Sequence, residues 1–210
     1  MPYIVAMDFH RPLQVVAPTL DGDVLRVLAA ADAEFTGRET HRLMGHSSEE
    51  GVRQALGRLA EQGIVLRRRA GRAYLYSFNR EHVAAPWVMG LVGLRQQLIE
   101  RIRDAIAPWS IQPIVAVLFG SVARGEAGPS SDVDIFFIRP SGADEDLWME
   151  QVAALTAAVT RWTGNDARAL EFSQGELEAH ELDEPLVGNV LDQGIELAGS
   201  LKTLRQSTRS

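Results

Sequence analysis

The sequence predicts an α+β chain of two domains: an N-terminal helical unit ending in a hairpin, a connecting helix, and a C-terminal domain on a small mixed sheet. Three observations predict it. Charge is divided unevenly: residues 36–80 carry nine arginines against four acids (+5) and residues 141–199 two arginines against thirteen acids (−11), within a 210-residue chain of net charge −7. Apolar residues at helical spacing over 20–62 give way to two short extended runs around a glycine. Further on, an apolar run enters a Gly-Ser turn, and a second apolar run opens on Asp132-Val133-Asp134. A composition 46% hydrophobic and 23% charged excludes wholesale disorder. The absence of cysteine excludes a disulfide scaffold, a thiol nucleophile and thiolate metal sites. No apolar run approaches the roughly 18 residues of a membrane span, and the N-terminus lacks a basic stretch followed by a long apolar one. A soluble cytoplasmic protein is expected.

Residues 1–17 are read as an N-terminal arm. In 20–32, Val24, Leu25, Val27 and Leu28 lie near one helical face, with Asp21 as the expected N-cap. A short helix is expected over 37–44, capped by Thr36. A third starts after Ser47 or Ser48, with Glu49 and Glu50 in its first turn and Gly63 beyond its end. Val52, Ala55, Leu56 and Leu59 mark its buried face. Extended runs at 64–68 and 73–78 flank a tip at 69–72, a hairpin signal. Over 18–80 this pattern resembles the winged helix-turn-helix of bacterial transcription regulators. The resemblance implies that the third helix enters the DNA major groove and the wing follows phosphate. Ser48, Arg53, Gln54 and Arg58, with Ser47, become groove or backbone candidates, and Arg67, Arg68, Arg69 and Arg72 wing candidates. Glu49 and Glu50 oppose DNA at that helix end, and winged helices also serve as protein-interaction modules.

Residues 81–108 are read as the connection. Leu91, Leu94, Leu98, Ile102 and Ile106 step by three and four, which predicts one long helix from Pro86 to Ala107. Trp87, Trp109, Trp148 and Trp162 sit among apolar residues and are expected in cores. His10, His41, His46, His82 and His180 show no metal-ligand spacing. Residues 176–199 suggest an acidic helix broken at Pro185 and a final short element, and 200–210 a frayed tail.

The chemistry lies in Leu118-Phe-Gly120-Ser121-Val-Ala-Arg124-Gly-Glu-Ala-Gly-Pro-Ser-Ser131-Asp132-Val-Asp134, followed by Ile-Phe-Phe-Ile. Residues two apart on a strand project to the same side, so Asp132 and Asp134 place two carboxylates together. Such a pair repels itself unless a cation intervenes, and hard oxygen ligands suit Mg²⁺. The Gly-Ser turn offers backbone N–H groups and a hydroxyl to phosphate, and Arg124 adds a fixed positive charge.

This run, within a domain read as 109–199, resembles the nucleotidyltransferase superfamily that includes DNA polymerase beta and the minimal nucleotidyltransferases of prokaryotes. The family pattern is Gly-Ser, then often Ala-Arg-Gly-Glu or Ala-Arg-Gly-Asp, then Ser-Asp-x-Asp between apolar residues. The resemblance implies transfer of a nucleoside monophosphate from an NTP, ATP foremost, to an acceptor hydroxyl. Gly120, Ser121, Arg124 and Ser131 would hold the nucleotide, and Asp132 and Asp134 would hold Mg²⁺ or Mn²⁺. Active members usually add a third carboxylate from a neighbouring strand. Glu171, between Leu170 and Phe172, is the expected third catalytic and metal-binding acid, with Asp166 its rival.

Two readings follow. In one, the chain is a Mg²⁺-dependent transferase with a DNA-binding module, its acceptor a protein, an RNA or a small molecule. Relatives among the small transferases act as antitoxins on HEPN toxins, so a toxin partner fits the resemblance, as does a homodimer. In the other, a transcription regulator binds nucleotide without turnover. An aminoglycoside-modifying enzyme fits less well, because only about 25 residues separate the Glu171 strand from the tail, too few for a second substrate domain.

Overall fold

The computed structural model describes residues 6–45, 47–178 and 184–202, and of residues 177–178 and 184–187 only the backbone. Expectations for His46, His180 and the tail beyond 202 lie outside the described residues. The chain divides into two compact units, one of residues 11–94 and one of residues 1–10 with 95–210. No described helix is long and apolar enough to cross a membrane.

In the N-terminal unit, helices α1 (Leu20–Ala29), α2 (Gly37–Met44) and α3 (Glu49–Glu61) pack with a sheet of β1 (Phe35–Thr36), β2 (Val65–Ala70) and β3 (Ala73–Phe78), ordered β1-β3-β2 and antiparallel. Local chemistry sets the helix ends. Thr36 accepts from the Glu39 N–H while the Glu39 carboxylate accepts from the Thr36 N–H, a reciprocal capping box on α2. The Ser48 hydroxyl accepts from the Gly51 N–H and starts α3. The expected cap of α1 is displaced by two residues: Thr19 holds the N-cap place, and Asp21 inside the first turn pairs with Arg58 instead. Val24, Leu28, Val52, Ala55 and Leu56 are fully buried, as their spacing requires.

The hairpin is longer and tighter than its sequence suggests. Arg69 pairs with Tyr74 and Ala70 with Ala73, so only Gly71 and Arg72 form the turn, with Gly71 at φ +60°. The two-residue strand β1 has no signal of its own in the sequence.

The expected helix over 86–107 is two helices, α4 (Ala85–Val92) and α5 (Leu94–Ile106). Gly93 parts them at φ −85°, ψ 10°, its N–H bonding the carbonyls of Met89 and Leu91. A glycine resists helix through its backbone entropy, and here the chain breaks at it. Trp87 on α4 is 77% exposed rather than in a core. Trp148 is buried as expected, and Trp109 stacks at 5.7 Å on Phe137.

The C-terminal unit is built on the sheet β6-β5-β4-β7, where β4 is Val115–Phe119, β5 Val133–Arg139, β6 Ala167–Ser173 and β7 Ile195–Gly199. β5 and β6 run parallel, and the other pairs antiparallel. Both faces are covered. Ala116, Leu118, Ile135 and Phe137 pack with Ile99 and Ile102 of α5 and with Trp148, Val152 and Val159 of α7 (Glu145–Thr163). Val115, Val117, Phe136 and Ile138 pack with Val190 of α9 (Glu184–Gln193). This double burial accounts for the unbroken apolar runs of β4 and β5. Pro185 lies in the first turn of α9, where its missing N–H costs nothing, so it opens a helix rather than breaking one. Two shorter helices complete the unit, α6 (Gly120–Arg124) and α8 (Gln174–Glu178).

The expected N-terminal arm is partly tied down. Phe9 is buried in the core of the C-terminal unit, and Met7 exchanges hydrogen bonds with Asn165.

Candidate functional site

Antiparallel pairing of β4 and β5 sets Phe119 across from Asp134. The chain must therefore turn immediately beside a carboxylate. Gly120 does this at φ +73°, and a Cβ there would lie 2.7 Å from Asp134 Oδ2. The left-handed backbone calls for glycine at this point, and any Cβ would also push the Asp134 carboxylate aside. Ser121 follows in α6, and its carbonyl accepts from the Glu126 N–H, closing the loop that leads back to β5.

Asp134 stands at the start of β5 and Asp132 one residue before it, next to the strand start where the sequence predicts the pair. Asp134 is half-buried. Burial and the neighbouring Asp132 charge together hold its carboxyl above the usual carboxylate range, with Arg168 opposing. Asp132 receives the Arg168 guanidinium, Nη1 to Oδ2 at 2.6 Å. Ser131 Oγ is engaged as an acceptor, from the Gly128 N–H at 3.0 Å, which shapes the approach to Asp132. Arg124 is held by Glu126 at 2.7 Å and by Gln193 of α9 at 3.2 Å.

Glu171 does not join the pair. In the parallel β5–β6 register Asp134 lies across from Arg168, and Glu171 lies across from Phe137. Glu171 thus shares the sheet face of Ile135 and Phe137, opposite to that of Asp132 and Asp134. Its carboxylate accepts from Trp148 Nε1 of α7 at 2.5 Å. The rival Asp166 lies one residue before β6 and pairs with Arg168 Nε at 3.0 Å. Among the described residues, no three acids or histidines are placed to hold one metal ion between them. A cation still suits the Asp132–Asp134 pair: the donors are hard oxygens, and the half-buried one is disfavoured as an anion.

Sequence reasoning missed two residues here. Arg168 faces the acid pair, and Asn165, 1% exposed, gathers the loop before Asp132. Arg168 could have been reached by carrying the two-residue alternation along β6 in a parallel register. Asn165 carries no sequence signal.

The basic candidates of the N-terminal unit are less uniformly free than their count suggests. Arg53 and Gln54 both bond Glu50, Arg58 bonds Asp21, and Arg68 bonds Glu34 at 2.5 Å. The compensating acid for Arg68 precedes the basic stretch, which is why the local charge count overlooks it. Arg67 lies over the Tyr74 ring at 5.0 Å, and Arg69 bonds the Gly71 carbonyl. Arg72, with Arg38, Glu50, Arg53, Tyr74 and Tyr76, lines an open cavity of about 700 Å³.

The family model described as a nucleotidyltransferase domain matches residues 99–187. This chain carries a nucleotidyltransferase domain. The match contains the Gly120–Ser121 turn and the Asp132–Asp134 pair, and it ends within α9. No curated protein matches the chain. Solved structures similar to it include a toxin–antitoxin with AMP-PNP, at 20% identity over 54% of this chain and 81% of that one, TM-score 0.36. A second is a complex of a tri-AMPylated Shewanella oneidensis HEPN toxin with an MNT antitoxin, at 18% identity over 54% and 80%, TM-score 0.37. A third is the toxin–antitoxin MntA-HepT, at 19% identity over 55% and 80%, TM-score 0.32.

Proposed function

We propose that the nucleotidyltransferase domain transfers a nucleoside monophosphate from an NTP, ATP foremost, to an acceptor hydroxyl. The observation that carries this reading is the Asp132–Asp134 pair beside a glycine turn at positive φ that packs against the Asp134 carboxylate, inside the matched domain. The backbone N–H groups of Gly120 and Ser121 and the Ser121 hydroxyl would bind the triphosphate. Asp132 and Asp134 would hold Mg²⁺, which when bound supplies positive charge to the phosphate oxygens. In the transfer, the acceptor oxygen forms a bond to the α-phosphorus as the bond to the bridging oxygen breaks, and pyrophosphate leaves with that electron pair. The acceptor proton passes to solvent.

The position of Glu171 on the opposite face favours one alternative, a regulator that binds nucleotide without turnover. Incubating the purified chain with each labelled NTP and Mg²⁺, alone and with cell lysate, separates the two. Pyrophosphate release or a labelled protein or RNA, lost in Asp132→Ala/Asp134→Ala, is the expected result. Saturable binding without either product would replace the transferase by the regulator.

For residues 18–80 we propose a winged helix that binds DNA, with α3 toward the groove and the β2–β3 hairpin along phosphate. Arg67, Arg69 and Arg72 support it, having no acidic partner among the described residues. Their replacement by Ala is expected to lower the slope of log affinity against log salt by about 0.9 for each phosphate that the hairpin no longer neutralises. Filter binding to duplex DNA over a salt series reads this directly, and an unchanged slope would remove the hairpin from the interface.

A further inference from the structure

The register of β5 and β6 places Arg168 across from Asp134. Positions 168, 170 and 172 share the sheet face of 134, 136 and 138, as the packing of Leu170 and Phe172 with Phe136 and Ile138 confirms. A neighbouring-strand acid meeting the Asp132–Asp134 pair would have to stand on this face of β6, near its start. In this chain that place is taken by an arginine.

Its surroundings are specific. Arg168 Nη1 lies 2.6 Å from Asp132 Oδ2, and Nε lies 3.0 Å from Asp166 Oδ2. The two acids hold different sides of the guanidinium, one at Nη1 and one at Nε, while the side chain stays 61% exposed. A guanidinium has five N–H donors, and these two contacts do not use them all. Three acids (Asp132, Asp134 and Asp166) against one arginine leave a local charge of −2, which one divalent cation balances.

We propose that Arg168 is a phosphate-binding residue and the fixed second cation of this nucleotide site, so that a single divalent cation accompanies the bound NTP. The proposal rests on the nucleotide-binding reading above. The guanidinium is permanently charged, planar and matched to phosphate oxygens in pairs, which a solvated metal ion drawn from solution is not. Asp166 and Asp132 serve as its brackets, keeping it at the edge of the sheet. A third acid at position 168 would instead add to the repulsion within the pair and call for a second metal.

The test is a Mn²⁺ titration of the full chain with a non-hydrolysable ATP analogue, reading free Mn²⁺ by electron paramagnetic resonance and analogue affinity by calorimetry. The expected result is one Mn²⁺ per chain. Arg168→Ala should keep that stoichiometry while weakening the analogue roughly tenfold or more, the scale of a charge-assisted hydrogen bond. Arg168→Lys should recover part of the loss, since it restores charge without the planar fork. Two Mn²⁺ per wild-type chain would overturn the proposal. So would an Arg168→Ala chain that binds the analogue as tightly as wild type or more tightly, because the arginine would then only plug the acid pair. Asp132→Ala/Asp134→Ala separates the two levels. If it leaves Mn²⁺ and analogue binding unchanged, the nucleotide site itself is lost. If it abolishes them while Arg168→Ala does not weaken the analogue, only the assignment of Arg168 fails.

Discussion

Asp134→Asn is expected to raise the melting temperature at neutral pH while lowering nucleotidyl transfer by about a hundredfold or more, the scale of losing one electrostatic stabiliser. The two effects have one cause. Asp134 is half-buried, faces the Asp132 charge, and has its carboxyl held above the usual range by that burial and that neighbour. A carboxyl raised in the folded state contributes stability below its unfolded pKa, and that contribution is lost as pH rises through the folded value. At neutral pH the ionised group therefore works against the fold, and an amide of the same shape removes the penalty. The gap between variant and wild type should be widest at neutral pH and should close as acid protonates Asp134. Adding Mg²⁺ and a non-hydrolysable NTP analogue should raise the melting temperature of the wild type and not that of the variant, because only the former gains binding free energy. Thermal scans across pH, with and without ligand, test each part. A variant less stable than wild type at neutral pH would mean that Asp134 is held by favourable interactions rather than against repulsion.

Much of this arrangement is legible wherever local chemistry decides. Thr36 and Glu39 stand three apart and form the capping box, Ser48 precedes two acids and starts α3, and the apolar run before Gly120 is a strand covered on both sides. The Asp132–Asp134 pair follows from strand alternation alone. Glu171 shows where that reasoning ends. Strand β6 offers Ala167 and Ala169 to one face and Leu170 and Phe172 to the other, both against apolar neighbours. With no polar face to break the symmetry, the sequence of the strand does not reveal which side an acid takes. Pairing with β5 settles it, and Glu171 turns to the Trp148 indole. The break at Gly93 is a different case: the apolar repeat runs through it unchanged, and only the backbone preference of one residue opposes it. Arg68 escapes for a third reason, since its partner Glu34 is distant in sequence and adjacent only across the folded sheet.

Asn165→Asp should destabilise the C-terminal unit more than Asn165→Ala at neutral pH, although it changes only one atom of the side chain. Asn165 is 1% exposed and joins three segments. Its Oδ1 accepts from the Met7 N–H at 3.0 Å, while Nδ2 donates to the carbonyls of Ser131 at 2.9 Å, Met7 at 3.3 Å and Gly128 at 3.5 Å. Alanine abandons these partners and leaves the Ser131 carbonyl poorly satisfied, at about 2 kcal/mol. Aspartate keeps the Met7 N–H as a donor to one oxygen but turns the other toward three carbonyls, burying an anion with too little to compensate it. Losses of about 3–5 kcal/mol follow from an uncompensated buried charge. Protonation would restore a donor at that atom, so the Asp variant should recover stability as pH falls, whereas the Ala variant should not. The same amide holds the carbonyl of Ser131, the residue before Asp132, so both variants should also weaken Mg²⁺–NTP binding without touching the nucleotide. Chemical denaturation at neutral and mildly acidic pH measures the difference. Equal losses for the two variants at neutral pH would mean that water, not the amide, satisfies the Ser131 carbonyl.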